Sequence, residues 1–562
     1  MRKKRVLLQG ESALLSSGYG RLSKDICTRF SQRNDIEVFE FCNYGHTAHP
    51  LKYTLPWTQY HNSPGDTWNV APTQEEINEF NKGGQFAIFG EDRIHDAMLH
   101  CKPDVFLSYL DIWMIQPALN SPYSHLFKKV YVPTVDAASD NESWVADYMR
   151  CDSIFTYTDF AYNQLKKYPQ IPLKGIAAPG VDNKTFCPIA NKKMHRKQFG
   201  LPENCRIIGT VMRNQRRKLY PDLFEGFAKF LQMCEEKNPD TAKKTFLYCH
   251  TSHPDVGFDF PKLLKQYGLS HKVLFTYICQ NCGAAFPSFF QEAVRICPNC
   301  NQQTCRLPST QISIHEGALN QIYNLMDIYV QYANMEGLGL PAIEAASAGV
   351  HVVYSNYAGP EDFGPKLGGS PVNIKAFHLE ADSSRLVAQP DNDHLAQVLF
   401  SLAILPDSIL AKKGFDARKG ALKYYNWDTT INTLCDEIAK IPYADWTVTP
   451  RIHQPQQEPQ GLNNSNFVQW AIVNILGEPE RLNTYFAANL LRDLNTGVTT
   501  SGNAYGFEES LIAGGQLIPF DRNTIKQKLT GMCQKRNDWE MRRSRHLNNL
   551  YEFPKWLKVS VS

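Results

Sequence analysis

The segment Glu336-Gly337-Leu338-Gly339-Leu340-Pro341-Ala342-Ile343-Glu344 constrains this chain more than any other. It sets two carboxylates eight positions apart around a glycine turn. Pro341 suits the first turn of a helix, where a missing N–H costs nothing, and Gly349 suits the far end. Gly337 and Gly339 allow the backbone to come close to a ligand. A helix N-terminus behind such a turn offers unpaired N–H groups and a partial positive charge, which suit a phosphate. A carboxylate beside a phosphate would repel it. Glu336 and Glu344 are therefore expected to accept hydrogen bonds from hydroxyls, and phosphate plus hydroxyls describes a sugar nucleotide.

Neighbouring segments extend this pattern. Ile207-Ile208-Gly209-Thr210-Val211-Met212-Arg213 reads as a buried strand entering a polar loop, Asn214-Gln215-Arg216-Arg217-Lys218, with a helix beginning near Tyr220-Pro221-Asp222. Gln321–Asp327 reads as a short amphipathic helix running into the strand Ile328–Gln331. Ala178-Pro179-Gly180-Val181-Asp182, with Phe186 and Pro188, has the look of a crossing between domains, and Tyr425-Asn426-Trp427-Asp428 that of a Trp-bearing tail helix.

Taken together, these segments resemble the retaining glycosyltransferases of the GT-B fold, particularly glycosyltransferase family 4. The resemblance covers roughly residues 1 to 440, with its specific motifs from residue 178 onward. It implies an α/β protein of two doubly wound, Rossmann-like domains facing a cleft, and a UDP- or GDP-sugar donor. By the resemblance, Arg213 and Lys218 would hold the donor diphosphate, Glu336 the sugar hydroxyls and Glu344 the ribose. Gly337, Gly339 and Leu340 would form the turn that cradles the donor. The chemistry would need no divalent metal, and the leaving phosphate would help deprotonate the acceptor hydroxyl.

The expected organisation is an acceptor-side α/β domain over 1–187 and a nucleotide-sugar domain over 188–420. A helix over 421–441 would cross back to the first domain. A Pro- and Gln-rich linker over 442–465 and a mostly helical extension over 466–562 would follow. In the first domain the strand Arg5–Leu8 leads to a loop with Gly18 and Gly20, which could approach the donor phosphates or the acceptor. Loops after the strands Val105–Ser108 and Val130–Val132 carry Asp111 and Asp136, candidates for acceptor contacts or the catalytic base. The family often has a histidine near there, and neither loop offers one. His250 and His253, after the strand Thr245–Cys249, read as solvated loop histidines.

A separate signal interrupts the second domain. Cys279-Gln280-Asn281-Cys282 and Cys297-Pro298-Asn299-Cys300 form two C-x2-C knuckles, the spacing of a closed, structural zinc site. This ribbon lies between the expected strands Lys272–Tyr277 and Ile312–Ile314, near the cleft, and Cys305 is a spare thiol. It could bind an acceptor, pair subunits or stiffen its loop.

A length of 562 residues exceeds one core, so two or three domains are expected. The net charge of +3 gives no global affinity for a polyanion. No apolar run reaches the ~18 residues of a membrane span. The basic start is followed too soon by polar residues for a signal peptide. The remaining cysteines are scattered, as for reduced thiols in a cytoplasmic protein.

The final stretch interleaves Lys526, Lys528, Lys535, Arg536, Arg542, Arg543 and Arg545 with Trp539, Tyr551, Phe553 and Trp556. Two readings follow: a platform for nucleic acid, or a solvated helix face docked by its aromatics. The acceptor is correspondingly a small molecule, a glycan or a macromolecule such as hydroxylated-base DNA. The alternative to an enzyme is a non-catalytic scaffold of this fold that recruits a partner through the ribbon.

Overall fold

The computed structural model describes residues 2–15, 17–45, 54–62, 73–81, 87–91, 93–139, 141–291, 293–309, 312–380, 383–482, 521–554 and 556–557, with isolated positions between 487 and 517. Both expected doubly wound units are present. In the first, strands run in the order Thr58–His61, Ile36–Asn43, Lys4–Glu11, Val105–Ser108, Lys128–Tyr131, Ser153–Thr156 and Leu173–Ile176, all parallel. The central strands are buried on both faces, as parallel sheets require when helices cover them. The helix Gly18–Ser31 follows the first strand, with Ser17 capping it by accepting from the Gly20 N–H at 3.0 Å.

The second unit has the parallel order Val273–Cys279, Thr245–His250, Arg206–Val211, Ile328–Gln331, His351–Ser355 and Ser370–Val372. In both sheets the first strand in sequence lies inside, so the order reverses beside it. Such switch points put the loops at the strands' carboxyl ends around a crevice. The helix before Ile328–Gln331 spans Glu316–Tyr323, earlier than the periodicity suggests, because His315 caps it through the Ala318 N–H. The strand expected at Ile312–Ile314 is absent. Ile312 instead donates its N–H to the Ser309 hydroxyl at 3.0 Å, closing a turn.

The ribbon hangs from the edge of this sheet. Ala285–Phe289 runs back antiparallel along Val273–Cys279, and Gln303–Arg306 pairs with the end of that strand. The sheet edge is thus covered rather than left with open backbone groups.

A third, small sheet was not legible in the sequence. The hairpin Ile374–Glu380/Arg385–Pro390 extends from the second unit, and its return strand pairs with Ala138–Ser139 of the first. The helix Trp427–Lys440 lies against the first unit. Thr430 donates to the Ala178 carbonyl, Lys4 Nζ to the Ile441 carbonyl at 2.6 Å, and the Arg29 guanidinium sits over the Trp427 ring.

Residues 442–463 lack regular structure but are anchored. Trp446 is buried, and its indole N–H donates to the Pro103 carbonyl at 3.1 Å. The long helix Arg522–Leu547 docks on the first unit through Trp539, whose carbonyl accepts from the Tyr123 hydroxyl at 2.6 Å. Tyr551 bonds Asp96, and Arg93 lies over Trp556. The aromatics of this segment are therefore packed against protein. Many of its cations are matched too: Lys526 with Glu458, Arg536 with Glu478, and Arg543 with Glu540, both fully buried. This is the docked arrangement, not an open platform for bases. No single described helix is long and apolar enough to cross a membrane.

Candidate active site

The helix Leu340–Ser347 starts at Gly339, whose φ of +81° is the left-handed conformation that glycine adopts at least cost. A Cβ there would also lie 2.8 Å from the Phe363 ring. Leu340 is the first helical residue, ahead of Pro341. At Gly337 a Cβ would come within 2.6 Å of the Thr134 methyl, so the turn is pressed against the first unit. The Glu336 N–H donates to the Asp136 carbonyl at 3.2 Å across the same junction.

Glu336 is ringed by donors. Lys218 Nζ bonds its Oε2, Gln331 Nε2 donates to the same oxygen at 3.0 Å, and Arg217 Nη1 lies 3.4 Å away. Burial opposes its charge, but Lys218 and Arg217 outweigh burial and hold the carboxyl down at about 2. For Lys218 burial dominates, with Arg217 adding repulsion and Glu336 opposing, and the ammonium falls to about 8. Both members are charged at pH 7. One oxygen thus gathers two cations at the start of a helix.

Arg213, expected beside Lys218, is elsewhere. Its guanidinium makes a two-pronged pair with Asp255 at 2.8 and 2.9 Å and is half exposed. Arg217 takes the place next to Glu336. The sequence does not single it out, because Arg216, Arg217 and Lys218 form one basic run. In the short turn Arg216–Lys218, Arg216 is exposed, Arg217 half-buried and Lys218 buried.

Glu344 is buried with both oxygens engaged: Arg21 Nη1 at 2.5 Å on one and the Tyr323 hydroxyl at 2.7 Å on the other. Burial raises its pKa and Arg21 pulls against that. Arg21 belongs to the helix that Gly18 opens, so this pair spans the two units. Gly20 packs on the Leu15 carbonyl, while Gly18 is exposed with open space around it.

On the first unit, Asp111 and Asp136 follow neighbouring strands. The Tyr19 hydroxyl bonds Asp111 at 3.0 Å and the Thr134 hydroxyl at 2.9 Å. Burial pushes the Asp111 carboxyl up to about 7, and the negative charge of Asp136 adds to it. Asp136 is paired with Arg385, 3.4 Å away on the hairpin. Periodicity gave no hint of that hairpin.

The two histidines are not solvated as expected. His250 Nδ1 lies 2.9 Å from the Thr276 hydroxyl and burial lowers it to about 4. The His253 ring packs between Phe260 and Phe290.

In the ribbon the sulfurs of Cys279, Cys282, Cys297 and Cys300 lie within 4.8 Å of one another, with Cys279–Cys300 and Cys282–Cys297 at 3.6 Å. Four thiolates 2.3 Å from a central zinc would be about 3.8 Å apart. The fit is close, and N–H groups support the sulfurs: Asn299 N on Cys297, Asn281 Nδ2 on Cys300 and Asn299 Nδ2 on Cys282. Cys305 is buried beside the cluster.

No known protein family matches this sequence, and no curated protein does. Solved structures do match. Sucrose-phosphate synthase from Thermosynechococcus elongatus superposes with a TM-score of 0.55 at 15% identity, over 78% of this chain and 99% of its own. This is a GT-B fold. HepE from Anabaena, solved with UDP and glucose, matches with a TM-score of 0.51 at 13% identity, over 78% and 99%. The α,α-trehalose-phosphate synthase of Burkholderia vietnamiensis gives 0.51 at 11% identity, over 78% and 98%.

Proposed function

We propose that the protein is a retaining glycosyltransferase that moves a sugar from a UDP- or GDP-sugar to an acceptor hydroxyl. The observation that carries this reading is the convergence of Lys218, Arg217 and Glu336 at the start of the helix Leu340–Ser347, joined through Asp136 to the opposite unit. HepE, which shares the fold, was solved with UDP and glucose.

In this reading Lys218 and Arg217, with the helix N–H groups, stabilise charge that develops on the leaving diphosphate. Arg213 joins them by exchanging Asp255 for a phosphate. Glu336 orients the cations and accepts from sugar hydroxyls. Glu344 reaches a ribose only if Arg21 releases it. Asp136 and Asp111 receive the acceptor, and the leaving phosphate takes the acceptor's proton. The four knuckle cysteines hold a structural zinc, whose thiolate ligands suit a reducing, cytoplasmic setting.

Thermal stabilisation by a panel of nucleotide sugars tests the reading, because a ligand that binds only the folded chain raises Tm. One donor is expected to raise Tm in the wild type and not in Arg217→Ala. Absence of any shift across UDP- and GDP-sugars would overturn it.

A further inference from the structure

We propose that the helix Asp407–Tyr424 of the second unit is a docking face for an anionic lipid surface. The inference goes beyond the transferase reading and does not depend on it. The helix has 18 residues, which span about 27 Å. A helix at the surface of a globular domain turns its large apolar residues inward and its polar ones outward. Here the sizes are reversed. The buried face is Leu410, Gly414, Ala417, Gly420 and Ala421. The two glycines let the helix lie directly on backbone. A Cβ at Gly414 would come within 2.1 Å of the Gly349 carbonyl, and one at Gly420 within 2.1 Å of the Lys366 carbonyl.

The large apolar residues face out. Phe415 is 58% exposed, Ile409 45% and Leu422 37%. Ile404, just before the helix, and Tyr424, its last residue, are exposed to a similar degree. Single exposed apolar residues are ordinary on a protein surface. These are clustered: of 17 large hydrophobics exposed among the described residues, five fall between positions 404 and 424. Such a concentration marks a surface that meets something other than water.

Charge selects the partner. Helical spacing puts Ala411, Phe415 and Leu422 in one stripe and Lys412, Lys419 and Lys423 in the stripe beside it. All three lysines are exposed. The Lys419 ammonium lies 4.6 Å from the centroid of the Phe415 ring, and that of Lys423 4.7 Å from the Tyr424 ring. The helix carries five cations against two carboxylates, although the whole chain is only +3. Both carboxylates are matched, Asp407 with Arg206 and Asp416 with Lys419. Apolar side chains flanked by lysines suit the interface of an anionic bilayer. The apolar groups enter the acyl boundary, and the ammonium groups meet lipid phosphates. A nucleic acid would use the lysines but leave Ile409 and Leu422 in water. A neutral bilayer would give the lysines no counter-charge.

The test is co-sedimentation of the full chain with vesicles of phosphatidylcholine alone and of phosphatidylcholine mixed with phosphatidylglycerol. Binding of a DNA duplex is measured in parallel. The chain is expected to bind only the mixed vesicles, at ~0.1 M salt and more weakly at ~1 M, where screening shortens to a few ångströms. Lys412→Ala with Lys419→Ala is expected to weaken binding ~30-fold, and Phe415→Ser ~10-fold. Lys262→Ala with Lys265→Ala removes two exposed lysines from the helix Phe260–Gln266 of the same unit and is expected to leave binding unchanged. Every substituted side chain is exposed, so urea unfolding is expected to match the wild type, which separates lost affinity from lost fold. No binding to mixed vesicles, equal binding to neutral ones, or tighter binding of the duplex would each overturn the docking face. So would unchanged binding in the Lys412/Lys419 and Phe415 variants, or an equal loss in the Lys262/Lys265 variant.

Discussion

Glu336 and Asp111 are both half-buried carboxyls at the junction of the two units, and their surroundings drive them in opposite directions. Lys218 and Arg217 hold Glu336 down at about 2. Burial, with Asp136 close by, lifts Asp111 to about 7. Burial costs the charged form in both cases, so the neighbours decide. On the second unit the neighbours keep a carboxyl charged, and on the first they favour the neutral form up to about neutrality.

The largest effect is expected at the four knuckle cysteines, which lie in neither cluster. A ribbon this small has too little core to fold without metal. With the proposed zinc on the four thiolates, Cys297→Ser is expected to lower the zinc found by metal analysis from about one per chain to none and to unfold the ribbon at the edge of the second sheet. If the two charge clusters are independent, the pH response of Asp111 survives in that variant.

Next comes Lys218→Ala. It leaves the half-buried Glu336 with half its cationic support, at a cost of about 3–5 kcal/mol in urea unfolding. A much smaller loss would mean that Glu336 is not held as described.

Asp111→Asn tests the other side. Its folded pKa is raised from 3.8 to about 7, so its contribution to stability is full below the unfolded value and is lost as pH rises through about 7. Roughly three pKa units correspond to about 4 kcal/mol. The asparagine variant is therefore expected to gain stability relative to wild type at pH 8 to 9 and not at pH 4. A difference independent of pH would break the comparison.

Asp136→Asn sharpens it. Without that negative charge the Asp111 pKa is expected to fall, read as a smaller loss of stability between pH 4 and pH 9 than in the wild type. The smallest stability effect is expected at Arg213→Ala. Its pair with Asp255 is half exposed and contributes under about 1 kcal/mol, although donor affinity would still fall.

Local patterns revealed the two sheets and the helix start at Gly339–Pro341, because strand–helix alternation and helix punctuation are written in short windows. What depends on distant pairing was hidden. The hairpin Ile374–Glu380/Arg385–Pro390 is mostly solvent-facing on its outer strand, and it meets Ala138–Ser139 nearly 250 positions away. That Arg217 and not Arg213 meets Glu336 goes with pairs far apart in sequence, Arg213 with Asp255 and Arg217 with Glu336. The raised Asp111 pKa depends on burial and then on Asp136, which comes close because Val105–Ser108 and Lys128–Tyr131 are adjacent strands. Arg21 on Glu344 joins residues 323 positions apart.

The most direct test of the account is the anomeric form of the sugar released when the protein turns over its donor with water as acceptor. One-dimensional NMR in the first minutes, before mutarotation, reads it. With an α-linked UDP- or GDP-sugar identified by the Tm panel, the account predicts the α-anomer first, with the signal lost in Lys218→Ala. The β-anomer first would contradict it.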